Sequence, residues 1–188
     1  VWLLCVNDFH AEMGESEGFP GAAKLAAAVK NFVREHQPAA VLFGGDNYKG
    51  NPVCEYLKGR PVSRLMSALG VQASVLGNHD FDFGTENIRQ WERIGGFPFL
   101  AANLQEKKTG DCPDFAQPAG VLNLGDKKVL VIGLALPERL DTADRPREME
   151  AYTLSDSGES VACVRRIQKE YEGKVNAVVA LTHYGLRF

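Results

Sequence analysis

The chain is 188 residues long, enough for one domain with a sizeable core. Apolar residues make up 45% and charged residues 24%, a balance that predicts a soluble globular fold. A net charge of −3 gives no basic field to attract a nucleic-acid polymer or an anionic membrane, and the apolar runs are strand-sized, too short to span a bilayer.

An apolar run over 2–6 predicts a first strand, buried on both faces, that leads into Asp8-Phe9-His10. A polar, glycine-containing loop follows to Gly21. A helix is then expected over 22–36, with Leu25, Val29, Phe32 and Val33 on one face and Pro38 as its stop. The run over 40–43 predicts a second strand, which delivers Gly44-Gly45-Asp46. After a loop containing Gly50 and Pro52, Pro61 begins a short helix through Leu65, Met66 and Leu69, closed by Gly70. The run over 73–76 predicts a third strand ending in Gly77-Asn78-His79-Asp80. Thr85 is expected to cap a helix that carries Ile88, Trp91 and Ile94 and ends at Gly95-Gly96.

Residues 97–104 read as one short strand and 105–118 as a polar loop. Stretches 120–124 and 128–134, joined by Gly125-Asp126, predict a β-hairpin. An irregular loop is expected over 137–153. Ser155 or Asp156 then begins a helix with Val161, Val164, Ile167 and Tyr171 in register, and a last strand over 177–181 delivers Thr182-His183. Strands alternating with helices predict a layered α/β domain without an internal boundary. Cys5, Cys54, Cys112 and Cys163 are scattered, with no CxxC pair, and Cys5 and Cys163 are expected to be small core residues. His36, at a predicted helix end, reads as structural. The start at Val1, inside an apolar run, and the end at Phe188, soon after His183, predict a piece of a longer protein.

Four predicted strand ends carry metal-type ligands, and in open α/β sheets ligands bind just outside the carboxyl ends of strands. Asp8 and His10 can direct a carboxylate and an imidazole at one ion. That donor pair suits Zn²⁺, Mn²⁺ or Fe²⁺ and fits Ca²⁺ poorly. Asp46 has two oxygens that could bridge two ions, Asn78 offers a neutral carbonyl and His183 a second imidazole. Together they predict two divalent ions about 4 Å apart, the spacing of two-metal hydrolytic sites that bind a phosphoryl group and supply hydroxide at neutral pH. His79 need not be a ligand. Asp82, three residues on, could accept a hydrogen bond from one ring nitrogen, fixing the tautomer and raising the basicity of His79. A charged His79 over the phosphate would stabilise developing charge or protonate a leaving oxygen. Singly, each piece is ordinary: Gly-Gly-Asp and Gly-Asn-His-Asp are common turns, and a lone Asp-x-His is a weak pair. Four compatible clusters, all at strand ends, are hard to assemble by chance.

At these residues the chain resembles the calcineurin-like metallophosphoesterases and, within them, the 5′-nucleotidase family. The matching stretches are Asn7-Asp8-Phe9-His10, Gly45-Asp46-Asn47-Tyr48-Lys49-Gly50, Gly77-Asn78-His79-Asp80-Phe81-Asp82-Phe83-Gly84 and Thr182-His183-Tyr184-Gly185, with Ala102-Asn103 resembling a short family strand. The resemblance implies a four-layer α/β/β/α sandwich. It implies Asp8 and His10 on one ion, Asn78 and His183 on the other, Asp46 between them, and His79 with Asp82 as the catalytic acid or transition-state stabiliser. The implied cofactors are two divalent ions (Mn²⁺, Zn²⁺ or Fe²⁺). The implied substrate is a nucleotide or another phosphate ester, with 2′,3′-cyclic nucleotides and nucleotide sugars as alternatives and a sulfur ester as a more distant one. It also implies an extracytoplasmic location. Two departures follow from the comparison with the family: Ala11 stands where glycine is usual, and the family's Gly-His-x-His ligand loop and substrate-binding C-terminal domain lie beyond Phe188. Residues 1–188 are therefore expected to be an incomplete N-terminal catalytic domain. Such a piece would bind its ions more weakly than the complete protein and would be weak or inactive alone.

Overall fold

The computed structural model describes residues 1–16, 18–137 and 140–184. Glu17, Glu138 and Arg139 in the predicted loops, and Gly185 with the three residues after it, lie outside the described residues. Parallel strands β1 (Trp2–Val6), β2 (Ala39–Phe43), β3 (Val71–Val75) and β4 (Phe99–Leu100) form the first sheet, in that order. Between them run α1 (Gly21–Glu35), the short α2 (Pro52–Tyr56), α3 (Arg60–Ala68) and α4 (Thr85–Gly95). Strand β5 (Leu104–Glu106) leaves this sheet, followed by the hairpin β6 (Ala119–Leu124) and β7 (Lys127–Leu134). Strand β8 (Tyr152–Leu154) pairs antiparallel with β5; α5 (Ser157–Glu170) then leads to β9 (Ala177–Thr182), which lies parallel to β7 in the second sheet.

The two-residue period of the strands sorts their side chains into layers. On β2, Val41 and Phe43 pack with Val29, Val62, Met66, Ile88 and Trp91 from the helices, while Ala40 and Leu42 face the other way. That second face meets Leu124, Val129, Val131 and Leu181 of the second sheet, so the two sheets pack face to face. On β7 the intervening residues Leu130, Ile132 and Leu134 turn outward onto Ile167, Val164 and Tyr171 of α5 and its end. Helices, sheet, sheet and helix make the four-layer α/β/β/α sandwich that the resemblance implied. Among the described residues, no helix is long and apolar enough to cross a membrane.

Several elements differ from the sequence reading. The predicted strand over 97–104 is two strands, because the chain leaves the first sheet between them and β5 pairs with β8 in a separate two-stranded sheet. Ala101 N–H donates to Gln117 and Ala102 N–H to Gly133, and the Asn103 amide pairs with both backbone groups of Ala135. Helix α2 replaces part of a predicted loop: Asn51 accepts from the N–H groups of Val53 and Cys54, and Pro52 starts the first turn. Within the predicted 137–153 loop lie a 3₁₀ turn, Arg147–Ala151, and β8. Thr85 does not cap α4. Gly84 holds the N-cap position, and Glu148, from that distant turn, accepts from both the N–H and the hydroxyl of Thr85. Cys5 and Val161 are exposed, against expectation; β1 is an edge strand of its sheet, and Val161 lies on the outer side of α5.

Candidate active site

Because β1, β2 and β3 run parallel, their carboxyl ends open on one edge, and the loops after them lie side by side. The N–H groups of Asp8 and His10 donate to the carbonyls of Gly45 and Asp46, lacing the first loop to the second. His183 arrives from the second sheet, its N–H held by Leu134. Asp8, His10 and Asp46 all adopt positive φ, at 54°, 48° and 52°. Residues with a Cβ seldom accept this conformation, which concentrates at functional sites when surrounding contacts enforce it. The enforcing contact at Asp46 is visible at Gly77, where an added Cβ would collide with the nitrogen and carboxylate of Asp46.

The carboxylate of Asp46 is 4% exposed as a residue and is the centre of the arrangement. Its Oδ2 lies 3.2 Å from His183 Nε2 and 4.0 Å from His10 Nε2, while Oδ1 accepts the His79 N–H at 2.8 Å. Both rings are aimed from behind. His183 Nδ1 donates to the Gly44 carbonyl at 2.7 Å and His10 Nδ1 to the Lys49 carbonyl at 3.1 Å. A carbonyl only accepts, so each Nδ1 carries a proton in these contacts and each Nε2 is left for an ion, as in metal-binding histidines generally. Ligand atoms of Asp8, His10 and Asp46 all lie within 4.8 Å of one another. Asn78 lines, with Asp8, Asp46 and His183, a cleft of about 480 Å³. The structure thus gathers all five residues expected to be ligands, and the oxygen and imidazole donors suit a divalent transition ion.

Charges follow the same geometry. Burial pushes the Asp46 carboxyl up, but hydrogen bonds and charge from His183 and His79 outweigh it and hold it below the usual carboxylate range. Burial opposes a charge on His183, yet Asp46, the Gly44 carbonyl and Asp8 raise its pKa to about 9. Beneath them, burial and the charge of Asp46 push fully buried Asp80 up to about 7, although Gly77 and Asn47 donate to it. Asp80 also accepts the Asp46 N–H, so its role is to hold the turn that presents Asp46.

His79 and Asp82 meet as expected, with Nδ1 to Oδ2 at 3.0 Å. Sequence reasoning missed two cations on the same carboxylate. Lys49 Nζ lies 2.5 Å from Oδ2, and Arg145 Nε lies 3.4 Å from Oδ1 while its Nη2 donates to the Asn78 carbonyl at 3.1 Å. Asp82 therefore divides its charge among three donors instead of serving His79 alone. Lys49 stood inside a recognised stretch, but nothing local marks Arg145, which comes from a loop 63 residues away.

Comparison with known proteins places the chain in a family. Residues 1–187 match the family described as calcineurin-like phosphoesterase. A snake venom 5′-nucleotidase of Gloydius brevicauda is 30% identical over 149 residues, 72% of this chain and 25% of that protein. Protein UshA of Salmonella pullorum is 27% identical over 190 residues, covering 98% of this chain and 34% of its own length. The chain thus spans about a quarter to a third of these curated relatives. Among solved structures, a 5′-nucleotidase precursor from Thermus thermophilus superposes with a TM-score of 0.82 over 97% of this chain and 37% of its own; at 24% identity it speaks for the fold alone.

Proposed function

The chain belongs to the calcineurin-like phosphoesterase family, and from that premise we propose that it hydrolyses phosphate esters of nucleotides at a site holding two divalent ions. The observation that carries this reading is the convergence of His183 Nε2 and His10 Nε2 on one oxygen of Asp46, with Asp8 beside them. Asp8, His10 and Asp46 would hold one ion; Asp46, Asn78 and His183 would hold the other. When bound, such ions supply Lewis acidity and lower the pKa of water to near neutrality. The chain's own residues do the rest. Asp82 holds the Nδ1–H of His79, which leaves Nε2 to exchange a proton with the ester, either protonating the leaving oxygen or stabilising charge on the phosphoryl group.

Nucleotides are the proposed substrates because a snake venom 5′-nucleotidase is 30% identical over 72% of the chain. The same relative, a venom component, favours a location outside the cytoplasm. A product assay on the complete protein with Mn²⁺, reading phosphate from AMP, UMP from UDP-glucose and an adenosine monophosphate from 2′,3′-cyclic AMP, tests the substrate class, in parallel with metal analysis after dialysis. Release from AMP with two ions per molecule of the complete protein is the expected result, with weaker ion binding by residues 1–188 alone. Activity confined to the cyclic nucleotide or the nucleotide sugar would move the substrate, and activity without any ion would overturn the reading.

A further inference from the structure

Lys49 touches two working parts of the site with two different groups. Its backbone carbonyl accepts the Nδ1–H of His10 at 3.1 Å, and its ammonium lies 2.5 Å from Asp82 Oδ2. That same oxygen accepts the Nδ1–H of His79 at 3.0 Å. The two imidazoles meet edge to face, with centroids 5.9 Å apart. The close approach of the Lys49 carbonyl to His10 depends on the next residue, because a Cβ at Gly50 would strike the His10 carbonyl. Arg145, whose side chain is 7% exposed, grips the other Asp82 oxygen from the opposite side.

An isolated surface Lys–Asp pair contributes little and leaves a long side chain costly to order. This pair is different: Asp82 is only 10% exposed and ties three donors from three separate segments. Accepting the phosphoesterase reading above, we infer that Lys49 is a positioning residue, its carbonyl setting the ring of His10 and its ammonium locking Asp82 in the rotamer that orients His79. Lys49 touches no reacting atom; it acts through the two imidazoles.

Lys49→Met removes the ammonium but keeps the backbone carbonyl, so the two roles separate. In the Mn²⁺-loaded protein with p-nitrophenyl phosphate, kcat should fall about 10-fold while KM and Mn²⁺ content stay constant, the scale of losing an outer partner. Lys49→Arg should restore most of kcat. In a His79→Gln background, Lys49→Met should have no further effect, since its influence passes through that ring. A readout independent of turnover is the ¹⁵N imidazole spectrum of the metal-free protein at fixed alkaline pH. There His79 should be held as the Nδ1–H tautomer in the parent and become mixed in Lys49→Met, with His10 unchanged. An unaltered His79 tautomer, or an equal loss of kcat with and without His79, would overturn the inference. Full turnover in His79→Gln would overturn the assignment of His79 and this inference with it; a damaged His79→Gln beside an unaffected Lys49→Met would overturn this inference alone.

Discussion

The two flanks of the candidate ion site are built differently. On one, the side chains of Asp46 and His183 are 5% and 11% exposed and their polar atoms meet at 3.2 Å. On the other, Asp8 and His10 are 48% and 36% exposed, and His10 Nε2 stands 3.7 Å from Asp8 Oδ1. Strand position explains the contrast between the two carboxylates. Asp46 follows β2, an inner strand covered by helices on one face and a sheet on the other, whereas Asp8 follows the edge strand β1. A buried carboxylate must be paired, because an unpaired charge there is expensive. The inner flank is thus organised around its own ion pair. The outer flank relies on a backbone held at positive φ, on the Lys49 carbonyl behind His10 and on the Asn7 amide, which donates to Asp8.

This contrast is most sharply tested by Asp46→Asn against Asp8→Asn. Losing the charge and one of the two Asp46 oxygens should empty both ion positions and lower phosphate release by more than the roughly 100-fold that loss of an outer partner can cost. Asp8→Asn should empty one position and leave the inner ion, as read by metal analysis after dialysis. Equal losses in the two variants would erase the distinction between flanks. His79→Ala comes next: it should cut turnover by about 100-fold while both ions stay bound, the usual scale for a positioned acid or base. Unchanged turnover would remove His79 from the chemistry.

The inner flank also predicts a pH dependence. In the ion-free chain His183 has a pKa raised to about 9, so at neutral pH a proton occupies the nitrogen an ion needs. Ion binding should release that proton, and affinity should rise up to about tenfold per pH unit toward about pH 9, then flatten. Calorimetry in buffers of different ionisation enthalpy reads the proton directly; no release near pH 7 would argue that His183 is not a ligand. The same pair affects stability in EDTA. The folded pKa of His183 lies above its ordinary 6.5, so its contribution is complete below that value and lost as pH rises through about 9. The Asp46 carboxyl shifts the other way, and its contribution is lost in acid. Thermal melts should therefore show the ion-free chain losing Tm between about pH 6.5 and 9.5.

The strand ends were legible because β1, β2, β3 and β9 are short apolar runs followed by residues with little reason to be there except chemistry. The same rule could not tell inner strands from edges, so Cys5 and most of β9 were expected in the core and stand exposed. Helix α2 was readable from Asn51-Pro52, a local cap signal. The cap of α4 was not, since its oxygen comes from Glu148, 63 residues on. Lys49 and Arg145 fall in the same class: long cations whose partner is chosen by tertiary approach. Pattern reading found the polar side chains that strands deliver to the cleft and missed the groups that hold them still.

The smallest expected effect concerns Ala11, next to His10, the proposed outer ligand. Ala11 is fully buried and sits at a φ of 55°. Ala11→Gly would relieve about 1–2 kcal/mol of left-handed strain. Against this stand the loss of one buried methyl, about 0.8 kcal/mol, and the added freedom of glycine in the unfolded chain, about 0.4–1 kcal/mol. The opposing effects nearly cancel, so stability should change by less than about 1 kcal/mol in denaturant titration. Function need not follow stability, because the Ala11 N–H donates to the Asn47 carbonyl and that contact survives in glycine. If the outer flank depends on its backbone conformation, Ala11→Gly should leave the inner ion untouched and weaken only the outer one, through a loop less restricted before ion binding. Weakened binding of the inner ion would show that the flanks are one unit after all.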